Sequence, residues 1–317
     1  MKVTEHIQRS KSTLFSVEIL PPLKGQNISS LFETMDALME FQPAFVDVTY
    51  HREEYILRDD GNGGFVPHVV KKRPGTVSIC AAISNRYKVD TVPHIICGGF
   101  SQQDTEDALL DLNYVGIDNV LLLRGDALKI EGKFKPEVNG HAYASQLVKQ
   151  VKNMNHGRYL DAELKDVTKT NFCIGVAGYP EKHFEAPNKK TDMRYLKEKV
   201  DAGAEYIVTQ MFFDNKVYFD FVNTCRENDI HIPIIPGLKP LTLKSQLNAI
   251  PQHFYITIPE ELADRVEKAK SDEEVRRIGI DWCIQQSKEL MAFGAPVLHY
   301  YTMGKSKNTA EIAKAVF

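Results

Sequence analysis

The sequence predicts a single (β/α)8 barrel, an α/β fold of the TIM type, and three observations carry that prediction. Short apolar runs alternate with amphipathic stretches of helical period along the whole chain, the pattern of βα repeats around a parallel sheet. Eight such units can be counted, the number that closes a barrel. The 317 residues suit one barrel domain spanning 1–317, with 43% hydrophobic and 26% charged residues giving an ordinary globular balance.

The elements follow in order. Strand one is Leu14–Leu20, stopped by Pro21-Pro22, and helix one covers Ile28–Glu40. Strand two is Ala44–Tyr50, followed by a long loop over 51–75 whose Asp59–Gly64 stretch is glycine-rich. Thr76–Tyr87 has the β-branched residues of a strand, but the order of elements requires a helix, opened by Thr76 after Pro74-Gly75. Strand three is Thr91–Cys97. Helix three runs from Ser101 to Tyr114, and strand four is Asn119–Leu123, ending in Arg124-Gly125-Asp126. Helix four is Tyr143–Met154 and strand five Phe172–Ala177. Helix five is Met193–Ala202 with Gly203 as its C-terminal stop, strand six Tyr206–Phe212 and helix six Val217–Asn228. Strand seven, Ile232–Ile235, ends in Pro236-Gly237, and helix seven is Leu243–Ile250. A long helical stretch, Glu260–Phe293, stands as extra helix before strand eight, Val297–Tyr301, and Thr309–Val316 closes the chain as a helix.

An open doubly wound sheet is the alternative. Its dinucleotide-binding form carries G-x-G-x-x-G after strand one. Here that strand ends in Glu18-Ile19-Leu20-Pro21-Pro22, and Gly61-Asn62-Gly63-Gly64 lacks the strand–turn–helix setting.

Charge and cysteines narrow the function. A net charge of -3 offers no general attraction for nucleic acid or an anionic membrane. The five cysteines are scattered without a C-x-x-C pair, which argues for a reducing cytoplasm rather than a disulfide framework. The polar stretch Met1–Thr13 lacks the apolar core of a signal peptide, and no segment has the roughly 18 apolar residues of a membrane span. His51, His94 and His183 have no metal-ligand spacing, so no metal is expected.

Barrel active sites collect at the C-terminal strand ends. Those ends supply Glu18, Thr49, Tyr50, His94, Arg124, Asp126, Tyr179 with His183 beyond it, and Gln210. Solvated loops make any one polar strand end unremarkable. Glu18 stands apart because it lies inside Phe15-Ser16-Val17-Glu18-Ile19-Leu20. A carboxyl there must be paired or neutralised. Desolvation would keep it protonated near neutrality, as a general acid requires. Position alone supports a buried ion pair equally.

The motifs Val17-Glu18-Ile19-Leu20-Pro21-Pro22, Val48-Thr49-Tyr50, Pro93-His94-Ile95-Ile96-Cys97, Leu123-Arg124-Gly125-Asp126, Tyr143-Ala144-Ser145, Tyr179-Pro180-Glu181-Lys182-His183, Lys199-Val200-Asp201-Ala202-Gly203-Ala204, Thr209-Gln210-Met211-Phe212-Phe213-Asp214, Ile235-Pro236-Gly237 and His299-Tyr300-Tyr301-Thr302 occur in this order over nearly the whole chain. Each is weak alone; the ordered set resembles the methylenetetrahydrofolate reductases. The resemblance implies a barrel that binds FAD without a Rossmann unit. NADH or NADPH would be the electron donor, a folate the substrate, the chemistry a ping-pong hydride transfer, and the assembly a cytoplasmic homo-oligomer. It assigns Glu18 as general acid and Asp126 as a charged residue near flavin and pterin. It assigns Gln210, Gln246 and Lys305 to the folate and Thr49 to the nicotinamide side. For FAD the matching positions are Tyr50, His94, Arg124, Gly125, Asp126, Tyr143, Ala144, Tyr179, His183, Ala186, Asp192 and Lys199. The chain departs from the bacterial pattern after Tyr50, where His51-Arg52-Glu53-Glu54 replaces small residues, and at Glu198, where a basic residue is common. The chain ending soon after strand eight carries the expectation that no regulatory domain follows.

Overall fold

The computed structural model describes residues 1–128 and 131–317. Its elements are α1 (Val3–Arg9), β1 (Leu14–Ile19), α2 (Ser29–Met39), β2 (Phe45–Val48), β3 (Glu54–Asp59), β4 (Phe65–Val70), α3 (Thr76–Tyr87), β5 (Asp90–Ile96), α4 (Gln102–Tyr114), β6 (Asn119–Leu123) and α5 (Ala144–Asn155). They continue with β7 (Cys173–Gly178), α6 (Lys189–Asp201), β8 (Tyr206–Thr209), α7 (Asn215–Glu227), β9 (Ile234–Ile235), β10 (Gly237–Leu238), α8 (Gln246–Phe254), α9 (Glu260–Lys268), α10 (Asp272–Phe293), β11 (Val297–Tyr301) and α11 (Ser306–Val316).

The nine strands of the large sheet run β10-β11-β1-β2-β5-β6-β7-β8-β9, and every pairing is parallel. The two ends of this order are the halves of one barrel strand, β9 and β10, separated only by Pro236. A proline has no N–H for the ladder, so the strand breaks there. Its carbonyl still accepts from the His299 N–H at 3.1 Å. The expected (β/α)8 barrel is therefore the observed one, with its seventh strand in two pieces.

Alternation along the strands sorts residues to two faces. Val17, Ile19, Val46, Val48, Ile95, Val120, Leu122, Ile174, Val176 and Ile207 pack outward against the helices. Phe45, Val92, Leu121, Cys173, Tyr206, Val208, Ile235 and Val297 form the interior layer. Ser16, Asp47, His94 and His299 are polar residues buried among the strands, and Ser16 Oγ meets His299 Nδ1 at 2.8 Å.

Four features differ from the sequence reading. A short helix, α1, occupies the polar N-terminus. Its Val3 joins the interior layer, its Val3 N–H donates to Asn119 Oδ1 at 2.9 Å, and His6 Nε2 meets Asp90 Oδ2 at 2.7 Å. Asn119 and Asp90 open β6 and β5, so α1 covers the N-terminal end of the barrel. Second, the loop after strand two contains an antiparallel hairpin, β3 with β4, turning at Asp60–Gly64. Pro67 and the glycine cluster mask the strand signal of Tyr55-Ile56-Leu57. Third, α6 begins four residues early, because the Asn188 side chain caps it by accepting from the Thr191 N–H. Fourth, Glu260–Phe293 is two helices, broken between Lys268 and Asp272, with Ser271 capping the second. These extra helices build a satellite core of Met211, Phe213, Leu241, Ile250, Ile256, Leu262, Val266 and Val275. No described helix is long and apolar enough to cross a membrane.

Candidate active site

Parallel pairing places Glu18 of β1 directly beside Asp47 of β2 and Tyr301 of β11. Threonine locks the backbone: the Glu18 carbonyl accepts from Thr302 Oγ1 at 2.7 Å and from the Thr302 N–H at 3.3 Å. The Glu18 side chain is 14% exposed, opening at the C-terminal mouth. His94 of β5 reaches across with Nε2 at 3.3 Å from Asp47 Oδ2 and 3.8 Å from Glu18 Oε2. Burial pushes the Glu18 carboxyl up to about 7; His94 opposes the rise and Asp47 adds to it. Burial also pulls the His94 imidazole down, but its hydrogen bond to Asp47 and the charge of Glu18 outweigh this and leave it above its ordinary value. The site thus holds a carboxylic acid that is substantially protonated near neutral pH. Asp47 was not singled out from sequence. Its only sign there is a charge within Phe45-Val46-Asp47-Val48, which equally describes a strand with one wet face.

Next along the rim, Thr49 Oγ1 meets His51 Nε2 at 3.1 Å. Tyr50 accepts from Lys71 Nζ at 2.7 Å and packs edge-on against Phe100. Lys71 follows β4, so the hairpin returns to the mouth at Tyr50. Arg52 is a second residue the sequence reading passed over. Its Nη2 lies 3.3 Å from Glu137, while Nε and Nη1 are buried without a partner among the described residues. A Cβ on Gly98 would come within 3.0 Å of Arg52 Nη1 and 3.3 Å of the Phe134 ring, so the guanidinium lies against the turn after β5.

Arg124, ending β6, stacks over the Phe134 ring at 4.9 Å and pairs with Glu185. Gly125 takes φ +83°, a left-handed conformation that glycine adopts without penalty, and this turns the chain so that Asp126 emerges exposed.

The end of β7 carries Tyr179, whose ring meets His183 edge-on at 4.6 Å. The His183 backbone N–H donates to Asp192 Oδ2 at 2.9 Å, and His183 Nδ1 accepts from the Glu185 N–H at 3.2 Å. Burial first, and then Arg124, lowers the His183 imidazole below its ordinary value. Lys199 of α6 donates to the Ala177 carbonyl and lies 5.8 Å from the Tyr179 ring. Burial pulls its ammonium down to about 8. Tyr179, Lys182, Asp192 and Lys199 line a cavity of about 320 Å³. Ala186 is buried beside it, with its carbonyl held by Lys182 Nζ at 2.6 Å.

The remaining expected residues lie elsewhere on the rim. Gln210 follows β8, with its Oε1 accepting from the Met211 N–H at 3.0 Å. Gln246 opens α8 and its Oε1 accepts from the Thr242 and Leu243 N–H groups at 2.7 and 3.1 Å. Lys305 is exposed at the start of α11, and Tyr143 and Ala144 start α5. Among the described residues, Tyr143, Gln246 and Lys305 make no hydrogen bond to the Glu18 or Tyr179 clusters. Nor is any group of three or more His, Cys, Asp or Glu arranged to hold a metal ion among them.

Residues 2–316 match the family model described as methylenetetrahydrofolate reductase. The chain belongs to the methylenetetrahydrofolate reductase family. It is 33% identical over 325 residues to a rice protein named probable methylenetetrahydrofolate reductase (NADH), covering 98% of this chain and 50% of that one. An Escherichia coli 5,10-methylenetetrahydrofolate reductase is 30% identical over 302 residues, covering 95% of this chain and 88% of that one. A Caenorhabditis elegans relative is named as an NADPH form, at 32% identity, 98% of this chain and 44% of its own length. The chain thus spans about half the length of the plant and nematode reductases it matches. Among solved structures, a Clostridium thermocellum protein described as binding two copies of 5-methyl-5,6,7,8-tetrahydrofolic acid shares the fold. The TM-score is 0.59 at 16% identity, over 99% of this chain and 98% of that one.

Proposed function

We propose that this reductase-family chain catalyses the FAD-dependent reduction of 5,10-methylenetetrahydrofolate to 5-methyltetrahydrofolate with NADH or NADPH, by a ping-pong hydride transfer from one shared site. The observation that carries the reading is Glu18: a carboxylic acid in the barrel mouth, protonated near neutrality, on the strand where the family places its acid. The one-carbon bridge of the folate must open to an iminium before a hydride can add. Opening needs a proton on the departing nitrogen, which Glu18 supplies. Asp126 stabilises the cationic iminium through its charge. Gln210, Gln246 and Lys305 bind the folate, and Thr49 faces the nicotinamide donor.

The residues fit an anionic, aromatic cofactor. Arg52 has two buried N–H donors without a partner among the described residues, Arg124, Lys182 and Lys199 add cations, and Tyr179 offers a ring beside them. FAD, when bound, would take a hydride from NADH or NADPH and pass it on to the folate. Tyr50, His94, Arg124, Gly125, Asp126, Tyr143, Ala144, Tyr179, His183, Ala186, Asp192 and Lys199 hold it. Arg124 and Lys199 face its diphosphate, and Asp192 orients the His183 backbone. The chain acts as one catalytic domain, as a cytoplasmic homo-oligomer. The five cysteines are free and buried, in keeping with a reducing compartment.

The test is an anaerobic half-reaction. Purified protein with its flavin reduced is mixed with methylenetetrahydrofolate, and the visible spectrum is followed. Prompt reoxidation is expected, and Glu18→Gln should abolish it while leaving flavin reduction by NADH or NADPH intact. A flavin that stays reduced, or equal losses in both halves for Glu18→Gln, would overturn the assignment.

A further inference from the structure

Asp47 has no part in the reaction as set out above, yet it is an ionisable group of the site with no exposed surface. Among the described residues its Oδ1 has no hydrogen-bond partner, and its Oδ2 has one, His94 Nε2 at 3.3 Å. That same nitrogen is 3.8 Å from Glu18 Oε2. A single N–H serves one acceptor well, and the shorter contact belongs to Asp47. Strand register fixes the arrangement, since Glu18 and Asp47 are direct neighbours on β1 and β2 and His94 follows on β5.

The consequence for Glu18 is electrostatic. The titratable groups facing it are Asp47 on β2, His94 on β5 and Tyr301 on β11, with His51 and His299 beyond His94. His94 is the nearest basic group. With its N–H committed to Asp47, His94 stands 3.8 Å from Glu18, too far to donate a hydrogen bond, and Glu18 gains a like charge across the strand. Both effects favour a neutral carboxyl. Without Asp47 the His94 N–H would be free to turn to Glu18, and a hydrogen bond to its carboxylate would favour the charged form.

We propose that Asp47 is a positioning residue that claims His94 and thereby keeps Glu18 an acid. The inference rests on the reading of Glu18 as proton donor to the folate, but its test does not.

The carboxyl titration of Glu18 is followed by infrared or carboxyl ¹³C spectroscopy in the flavin-free protein, with Glu18→Gln identifying the signal. In Asp47→Asn the midpoint should fall by one pH unit or more, a tenfold loss of protonated Glu18 at pH 8. The alkaline limb of the folate half-reaction should move with it, and Asp47→Glu should restore both. An unchanged midpoint in Asp47→Asn overturns the proposal. Should Asp47→Asn not fold, His94→Gln gives the complementary result: with the imidazole gone and Asp47 in place, the Glu18 midpoint should rise, and a midpoint that stays or falls overturns it. A shifted midpoint in a protein that never reduces folate would uphold the role of Asp47 and reject the proposed activity.

Discussion

The guanidinium of Arg124, at the end of β6, is held by the carboxylate of Glu185 on the loop after β7. Arg124 is the residue proposed to meet the cofactor diphosphate, so Glu185 and the phosphates compete for one cation. Glu185 is itself held below the usual carboxylate range, chiefly by its hydrogen bond to Arg124. Glu185→Gln should therefore bind FAD more tightly, by roughly tenfold or about 1.4 kcal/mol. Titration of flavin-free protein by flavin fluorescence measures this. Weaker or equal binding would mean that Arg124 does not serve the diphosphate.

Lys199 supplies a pH-dependent counterpart. Its ammonium, lowered to about 8 by burial, loses its proton more readily than an exposed lysine. An arriving diphosphate favours the charged form. FAD affinity should fall as pH rises through about 8, and binding at pH 8.5 should take up a proton. Calorimetry in buffers of different ionisation enthalpy reads that uptake directly. Lys199→Met should bind FAD more weakly and lose the uptake; uptake that persists would assign the proton to another group.

The raised Glu18 carboxyl has a consequence for stability. Its folded value, about 7, lies above the ordinary 4.5. The unfolded chain therefore releases this proton first as pH rises. The Glu18 contribution is fully present below about pH 4.5 and is lost by the time pH has passed about 7. At 1.36 kcal/mol per unit the loss is at most about 3 kcal/mol. Glu18→Gln, which cannot ionise, should melt a few degrees above the unaltered protein at pH 8 and level with it at pH 4.5. Thermal melts at the two pH values decide it; an equal difference at both would place the effect in packing instead.

These residues also mark how far the sequence could be read. Glu18 was legible because a carboxylate inside Phe15–Leu20 conflicts with its surroundings, and the strand ends were legible because barrel topology orders them. Asp47 was not, because its meaning depends on the lateral register of β1, β2 and β5, which no single strand encodes. Lys199 was named only through the family resemblance; its burial was not legible, because it arises from the reach of its side chain back to the Ala177 carbonyl. Arg52 sat in a segment read as open loop, and the β3–β4 hairpin that returns Lys71 to Tyr50 depends on a turn chemistry that glycines alone do not specify. The N-terminal α1 is held by Asn119 and Asp90, partners far away in sequence.

Gly279 tests the packing that supports the folate side of the mouth. It lies inside the 22-residue α10, where glycine ordinarily costs a helix about 1 kcal/mol relative to alanine. Gly279→Ala would thus normally stabilise. Here a Cβ would stand 1.6 Å from the Leu241 carbonyl oxygen, a backbone atom that cannot rotate away. Helix and segment must separate, and the overpacking should outweigh the propensity gain, leaving a net loss of about 2 kcal/mol. The same helix holds the chain after β8 through Gln286 Nε2 to the Phe212 carbonyl and Trp282 Nε1 to the Phe213 carbonyl, each at 2.9 Å. Phe212 and Phe213 lie two and three residues after Gln210, so displacing α10 should reach the folate contact as well. Denaturant unfolding should show the lower midpoint, and steady-state kinetics a raised KM for methylenetetrahydrofolate. A variant as stable as its parent would show that α10 and the Leu241 segment do not press together; a stability loss without a KM change would confine the coupling to the satellite core.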